Sequence, residues 1–282
     1  MILEDWHTHN FLCRHAIGSL EEYVEEGLKI GLDLIGFSDH FPYEFLKGIE
    51  GIPYQNYSMR LEEVNGYISN AEKLKKAYHN KIKIKIGFEI DFIEYQEGIY
   101  KKYLNKFIDK LDYILGSIHI LQGKNEIFAF DDNRFLDRYN IFKSIDEFYL
   151  KYYEILLNMI SSKEFDCDII SHFDLPKKYN KRPENKEIIL NKAFTILEFI
   201  KKKKLAVEIN TSGLRKEVKE QYPSEEIIKK MWEFDIPILL GSDAHHPYEV
   251  GYKFKETIKL IKKIGYNQLA YFDKRKKYFI DF

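Results

Sequence analysis

The sequence predicts an α/β fold, a closed or nearly closed barrel of seven repeated β/α units spanning residues 1–282 as a single domain. Three observations predict it. Short β-branched runs alternate with longer segments of helical period; no Pro/Gly/Ser-rich linker interrupts the alternation; and barrels of this type commonly reach such a length as one domain. With 45% apolar and 16% aromatic residues, the chain can bury a sizeable core, which excludes a disordered protein.

The strands are expected at residues 2–7, 34–38, 82–90, 113–119, 168–172, 205–209 and 236–241. Between them, residues 20–30, 61–77, 99–110, 145–160, 186–203, 224–234 and 249–264 have the spacing of amphipathic helices. Ser224 precedes Glu225 and Glu226, the composition of a helix N-cap. Residues 121–143, carrying Asp131 and Asp132, fit neither period and are longer than an ordinary connection. Segments of that kind often form lids or substrate walls.

The formal net charge is −1, so the electrostatic footprint of a dedicated nucleic-acid binder is missing. The lysine run at residues 201–204 reads as the solvated end of a helix. Only Cys13 and Cys167 are present, too few for a disulfide framework, and no basic-then-apolar leader opens the chain. No apolar run has the length of a membrane span. A cytoplasmic protein is therefore expected, with Cys13 an ordinary free thiol.

The chemistry lies in the histidines. His7 and His9 end the first strand as His-Thr-His, and strand alternation places both imidazoles on one side. Asp39 and His40 follow the second strand, Glu89 ends the third, His119 the fourth, His172 the fifth, and Asp243 and His245 follow the seventh. His15 lies in the first loop. Seven of nine histidines thus fall at the strand ends that a parallel barrel gathers on one rim, and only His79 and His246 read as bland. Nitrogen and carboxylate donors without thiolate suit zinc, manganese or iron, and their number exceeds what one zinc site needs. Several cations together can clamp phosphate oxygens, generate hydroxide at neutral pH and stabilise a departing alkoxide. No Gly-x-Ser-x-Gly elbow, Walker loop or dinucleotide glycine fingerprint offers another chemistry.

Read in order, Asp5-Trp6-His7-Thr8-His9, Cys13-Arg14-His15-Ala16, Phe37-Ser38-Asp39-His40 and Gly87-Phe88-Glu89-Ile90-Asp91 resemble the polymerase and histidinol phosphatase (PHP) family, and within it the histidinol-phosphate phosphatases. Gly116-Ser117-Ile118-His119, Ser171-His172-Phe173-Asp174, the run from Glu208 to Arg215, and Gly241-Ser242-Asp243-Ala244-His245 extend the resemblance over nearly the whole chain. It implies a distorted seven-stranded, TIM-like (β/α)7 barrel holding three metals. His7, His9, Glu89 and Asp243 would hold one, and His15, His40 and His245 a second. Glu89, His119 and His172 would hold the third, with Glu89 bridging. Asp39 becomes a partner that orients an imidazole.

The implied reaction is hydrolysis of L-histidinol phosphate, a small phosphate monoester, in histidine biosynthesis. Asp243 and His245 are the catalytic candidates. Arg215 is the expected phosphate fork, because a guanidinium contacts two oxygens at once. Arg14, Arg60 and Lys177 are further cationic candidates, and Asp131, with Asp132, would read the substrate amine. Another PHP-type phosphoesterase or nuclease is the alternative, disfavoured by the missing basic channel and the expected end of the chain after one barrel. An amidohydrolase is disfavoured because the sixth strand ends in Asn210 where a histidine would be needed. A silent metal-stabilised binding module should have lost ligands, and none is lost.

Overall fold

The computed structural model describes residues 2–44, 54–122 and 127–282. The chain opens with β1 (Glu4–Asp5), α1 (Leu20–Ile30), β2 (Leu34–Phe37), α2 (Val64–Ala77), β3 (Lys83–Asp91), α3 (Glu97–Leu104) and β4 (Tyr113–Ser117). A short antiparallel hairpin of β5 (Ile120–Gln122) and β6 (Ile127–Ala129) leads to α4 (Ile145–Ser161) and β7 (Ile169–Ile170). Then come α5 (Lys186–Lys203), β8 (Ala206–Asn210), α6 (Glu225–Glu233), β9 (Ile238–Gly241) and α7 (Phe254–Ile264). A terminal hairpin, β10 (Gln268–Asp273) and β11 (Lys276–Asp281), ends the fold.

Seven strands pair in parallel in the order β1-β2-β3-β4-β7-β8-β9. The sheet is nearly closed across the β9–β1 seam, where Trp6 N–H donates to Leu240 O and His9 N–H to Ala244 O, both at 3.0 Å. Asp5 pins the same seam, its Oδ1 accepting from Ser242 N–H at 2.9 Å. The predicted TIM-like barrel is therefore present.

Local signals explain the helices. Ser19 and Glu22 form a capping box at the start of α1, whose Leu20, Tyr23, Val24 and Gly27 turn inward. Residues 201–203 close α5 before the left-handed Lys204, where cations favour the helix dipole.

Several boundaries differ from expectation. The 99–110 helix is α3 followed by a separate 3₁₀ turn at Ile108–Lys110. The 249–264 helix starts only at Phe254, because Pro247 opens a 3₁₀ turn and Gly251 takes a positive φ. Ser224 stands at the N-cap of α6 without a side-chain cap bond; its own N–H goes instead to Asp174 Oδ2 at 2.9 Å. Part of the 121–143 segment is the β5–β6 hairpin and a 3₁₀ stretch at Asn133–Ile141; residues 123–126 lie outside the described residues.

The β10–β11 hairpin was not expected at all. It closes the N-terminal mouth of the barrel, where Ala270 and Phe272 pack on Trp6, Leu34, Tyr113 and Leu239. Lys85 on β3 meets Asp273 at 2.5 Å, and Arg275 pairs with Asp168. With that end plugged, ligands reach the barrel from the opposite rim. Among the described residues, no helix is long and apolar enough to cross a membrane.

Candidate metal centre

The C-terminal rim gathers the histidines because strand parity aims them there. Past β1, Thr8 turns its hydroxyl outward to Gly36 O at 2.8 Å, while His7 and His9 on either side turn inward, with Nε2 atoms 3.1 Å apart. On β3, Glu89 and Asp91 share the inward parity and are both buried.

Three groups of donors result. His7 Nε2 and His9 Nε2 lie 3.2 and 3.4 Å from Glu89 Oε2, and 3.8 and 3.3 Å from Asp243 Oδ1. The other oxygen of the same carboxylate, Glu89 Oε1, lies 2.9 Å from His172 Nε2 and 3.6 Å from His119 Nε2. Glu89 therefore faces two groups at once. In the third, the ring of His15 lies 5.2 Å from that of His40 and 4.8 Å from that of His245. His9, His40 and His245 also converge, as do Cys13, His15 and His245, so Cys13 stands closer to the donors than a bland thiol would.

Outer partners set which ring nitrogen carries the proton. His7 Nδ1 is 2.7 Å from Glu208 Oε1, His119 Nδ1 is 2.9 Å from Asp91 Oδ1, and His9 Nδ1 is 3.4 Å from Asp39 Oδ1. His15 Nδ1 meets Cys13 O at 2.9 Å, and His245 Nδ1 meets Asp243 O at 3.1 Å. Each acceptor holds the proton on Nδ1, which leaves the Nε2 lone pair turned inward. The inward lone pairs of His7 and His9, 3.1 Å apart, repel unless a cation or proton lies between them; His119 Nε2 faces His172 Nε2 at the same distance, and His172 Nδ1 is buried with no partner among the described residues. The residues thus fit divalent metal ions.

Electrostatics state the same demand. Burial alone would lower His7, yet Glu208, Glu89 and Asp243 hold it well above the ordinary value. Against the same burial, carboxylates raise His9 to about 9 and His119 to about 10. Burial, reinforced by neighbouring imidazoles, pushes His40 and His245 well down. Glu89 and Asp243 stay ionised despite burial because imidazoles surround them.

Glu208 and Asp91 were quoted in the motifs above without a role. Their signal was available: each is a carboxylate inside an apolar strand, Val207-Glu208-Ile209 and Ile90-Asp91-Phe92, and a buried charge needs a partner. Glu208 Oε2 also accepts from His172 N–H at 2.9 Å and Asn210 Nδ2 at 3.0 Å. Gly241 makes room for it, since a Cβ there would fall 1.8 Å from Glu208 Oε1.

Above the donors opens a cavity of about 490 Å³. His15, His40, Glu89, His119, His172, Asp243 and His245 line it, as does Asp131. The four cationic candidates do not. Arg14 pairs with Glu63. Lys177 is buried against Asp174 at 2.8 Å and Glu220 at 3.2 Å. Arg215 donates through Nη2 to Ser242 O at 2.9 Å and Asp243 O at 3.1 Å. The cavity's cations are their sequence neighbours Lys178 and Lys216, together with Arg134. In the 3₁₀ turn Leu175–Lys177, residues three apart share a face, so Lys178 joins Leu175 on the cavity side and Lys177 turns away. Arg60, whose N–H meets Glu63 Oε2 at 2.8 Å, is also absent from this lining.

A nearly closed parallel barrel with imidazoles and carboxylates gathered on its C-terminal rim is the frame of a metal-dependent barrel enzyme. The chain belongs to the PHP domain family, whose pattern matches residues 5–212. It is 32% identical over 261 residues to a "Probable histidinol-phosphatase" of Deinococcus radiodurans, covering 93% of each chain. It is 28% identical over 259 residues to the histidinol-phosphatase of Bacillus subtilis, covering 89% of this chain and 96% of that one. Among solved structures, hisK from Listeria monocytogenes superposes with a TM-score of 0.84 at 26% identity, covering 90% of this chain and 99% of the other. A histidinol phosphate phosphatase from Lactococcus lactis, complexed with zinc, L-histidinol and phosphate, shares the fold with a TM-score of 0.75 at 24% identity, covering 98% of both.

Proposed function

We propose that this chain hydrolyses L-histidinol phosphate to L-histidinol and phosphate in histidine biosynthesis. The observation that carries the reading is the meeting, in one cavity, of the donor cluster, the cations Lys178 and Lys216, and the carboxylate of Asp131. Relatives named histidinol-phosphatase along almost the entire chain support the substrate.

In this reading His7, His9, Glu89 and Asp243 hold one metal; Glu89, His119 and His172 hold another; and His15, His40 and His245 hold a third. Zinc, manganese and iron all suit the donors. Bound there, such ions supply Lewis-acid clamping of phosphate oxygens and an activated water at neutral pH.

The chain's own residues do the rest. Lys178 and Lys216 take the phosphate oxygens, in place of the Arg215 fork expected from sequence. Tyr222 lines the same cavity with a buried hydroxyl that has no partner among the described residues, so it can donate to the phosphate as well. Asp131 is kept ionised against burial by Lys178, 2.9 Å away, and by His119; it is the reader of the substrate ammonium. Asp132 is already occupied by Arg134 and by the Tyr57 hydroxyl at 2.7 Å. Asp243 offers Oδ1 to the cluster while Ser212 Oγ holds its Oδ2 at 3.1 Å. It and His245 remain the candidates for assisting the departing alkoxide. Both cysteines are free and buried, in keeping with a cytoplasmic address.

The test compares kcat/KM for L-histidinol phosphate, para-nitrophenyl phosphate and bis-para-nitrophenyl phosphate on metal-loaded protein. One desolvated ionic contact to the amine is worth about 3 kcal/mol, or roughly 100-fold preference for histidinol phosphate. Faster cleavage of the diester would reassign the chain to the nuclease side of the family.

A further inference from the structure

Arg215 is a strongly positioned side chain with no place at the cavity. Its guanidinium lies over the Tyr252 ring and is only 13% exposed. Nη2 reaches two consecutive carbonyls, Ser242 O at 2.9 Å and Asp243 O at 3.1 Å, while Nε lies 3.1 Å from Glu249 Oε1. The second Glu249 oxygen, Oε2, accepts from His245 N–H at 2.9 Å. Glu249 thus ties the guanidinium to the backbone of His245. The Asp243 carbonyl also receives His245 Nδ1 at 3.1 Å. One short turn is therefore held at both ends by one ion pair.

That turn needs holding. Asp243 has a φ of 51°, in the left-handed region that a residue with a Cβ enters at a cost and keeps only where its surroundings over-determine it. The twist is what lets a single turn present Asp243 Oδ1 toward His7 and His9 and the His245 ring toward His9 and His15. If the turn relaxed toward ordinary φ, the Asp243 carbonyl would swing and both side chains would leave the cluster together.

We infer that Arg215 and Glu249 form a clamp that sets the strained Asp243–His245 turn, so that two donors of different groups are delivered as a unit. Both are positioning residues: neither touches substrate, and their effect is on how firmly metal is held. The inference rests on the reading of Asp243 and His245 as metal ligands. It departs from the sequence expectation that Arg215 grips phosphate.

The test uses the manganese- or zinc-loaded holoenzyme and follows metal loss to a chromogenic chelator, alongside KM and kcat for L-histidinol phosphate. Arg215→Met, Glu249→Met and the double variant are compared with Arg215→Lys and Glu249→Gln. The clamp predicts that each Met variant sheds metal at least about 10-fold faster, the scale of losing an outer-sphere partner, with KM changed less than about threefold. The double variant should be no worse than the poorer single one, because the pair acts as one device. Arg215→Lys should restore retention only partly, since a single ammonium cannot both reach the two carbonyls that Nη2 meets and leave a charged nitrogen where Nε stands beside Glu249. If a Met variant does not fold, the Lys and Gln variants decide the matter by the same rates. Unchanged metal loss in all folded variants overturns the clamp. So does a raised KM with metal retained, which returns Arg215 to phosphate. A wild-type protein that binds no metal would instead overturn the ligand reading beneath it.

Discussion

Replacing Glu208 by Gln tests the metal centre through a residue that is not itself a donor in it. Glu208 is fully buried; Oε1 holds His7 Nδ1 at 2.7 Å, and Oε2 takes both His172 N–H at 2.9 Å and Asn210 Nδ2 at 3.0 Å. A glutamine has one acceptor oxygen. Turned toward the two donors at Oε2, it sets its amide N–H₂ against His7 Nδ1, and the imidazole can answer only by moving its proton to Nε2. That nitrogen faces His9 Nε2 at 3.1 Å and Glu89 Oε2 at 3.2 Å, so a lone pair that could bind metal is lost. Turned the other way, the glutamine leaves two buried donors unpaired. The charge-assisted bond to His7 is worth roughly 1.5–3 kcal/mol, and loss of such an orienting partner lowers metal affinity about 10- to 100-fold. Competition with a fluorescent chelator measures the affinity, and circular dichroism verifies the fold. A folded Glu208→Gln protein with affinity within about twofold of wild type would refute the reasoning.

Metal loading should release protons. Near pH 7 His7, His9 and His119 carry protons drawn onto them by the carboxylates, with His9 at about 9 and His119 at about 10; binding displaces them. Calorimetry in buffers of different ionisation enthalpy should therefore report more than one proton per chain, and a buffer-independent heat would contradict this. Asp131→Asn should reduce the preference for histidinol phosphate over para-nitrophenyl phosphate, whereas Asp132→Asn, whose carboxylate Arg134 and Tyr57 already hold, should not. Equal effects would remove Asp131 as the amine reader. Glu4 supplies a stability test far from the rim. Burial, only partly offset by the Trp6 indole, raises it from 4.5 to about 7, so folding takes up a proton between these values and stability falls as pH rises through them. That shift is worth roughly 3 kcal/mol. Glu4→Gln should recover much of it at pH 8 and little at pH 4, as read from urea midpoints; an equal gain at both would refute the assignment.

What the sequence revealed and what it hid have distinct physical causes. The barrel and its donors were legible because strand alternation and parallel pairing are strict: His7 and His9 share a face, and every strand end points to one rim. Side chains in a 3₁₀ turn repeat every three residues, but a turn one period long leaves no repeat in the sequence to mark where it begins or which face is inward. Lys177 and Lys178 are adjacent, yet one is buried against Asp174 and the other lines the cavity. Arg215 and Lys216 divide in the same way at the end of the Ser212–Arg215 turn. The β10–β11 hairpin was hidden because its partly exposed aromatics, Tyr278 and Phe279 among them, break the alternation that marks a half-buried strand. The outer partners Glu208 and Asp91 stood in plain view, but only the fold shows which imidazole each one meets.

In the proposed function, phosphate release depends on a cluster of metals held at this rim. The most direct test is a titration of metal-stripped protein with manganese or zinc, following phosphate release from L-histidinol phosphate against metal bound per chain. Turnover should be negligible until more than one equivalent has bound, and should be lost completely again on chelation. Turnover by the stripped protein, or a plateau reached at the first equivalent, would contradict that dependence.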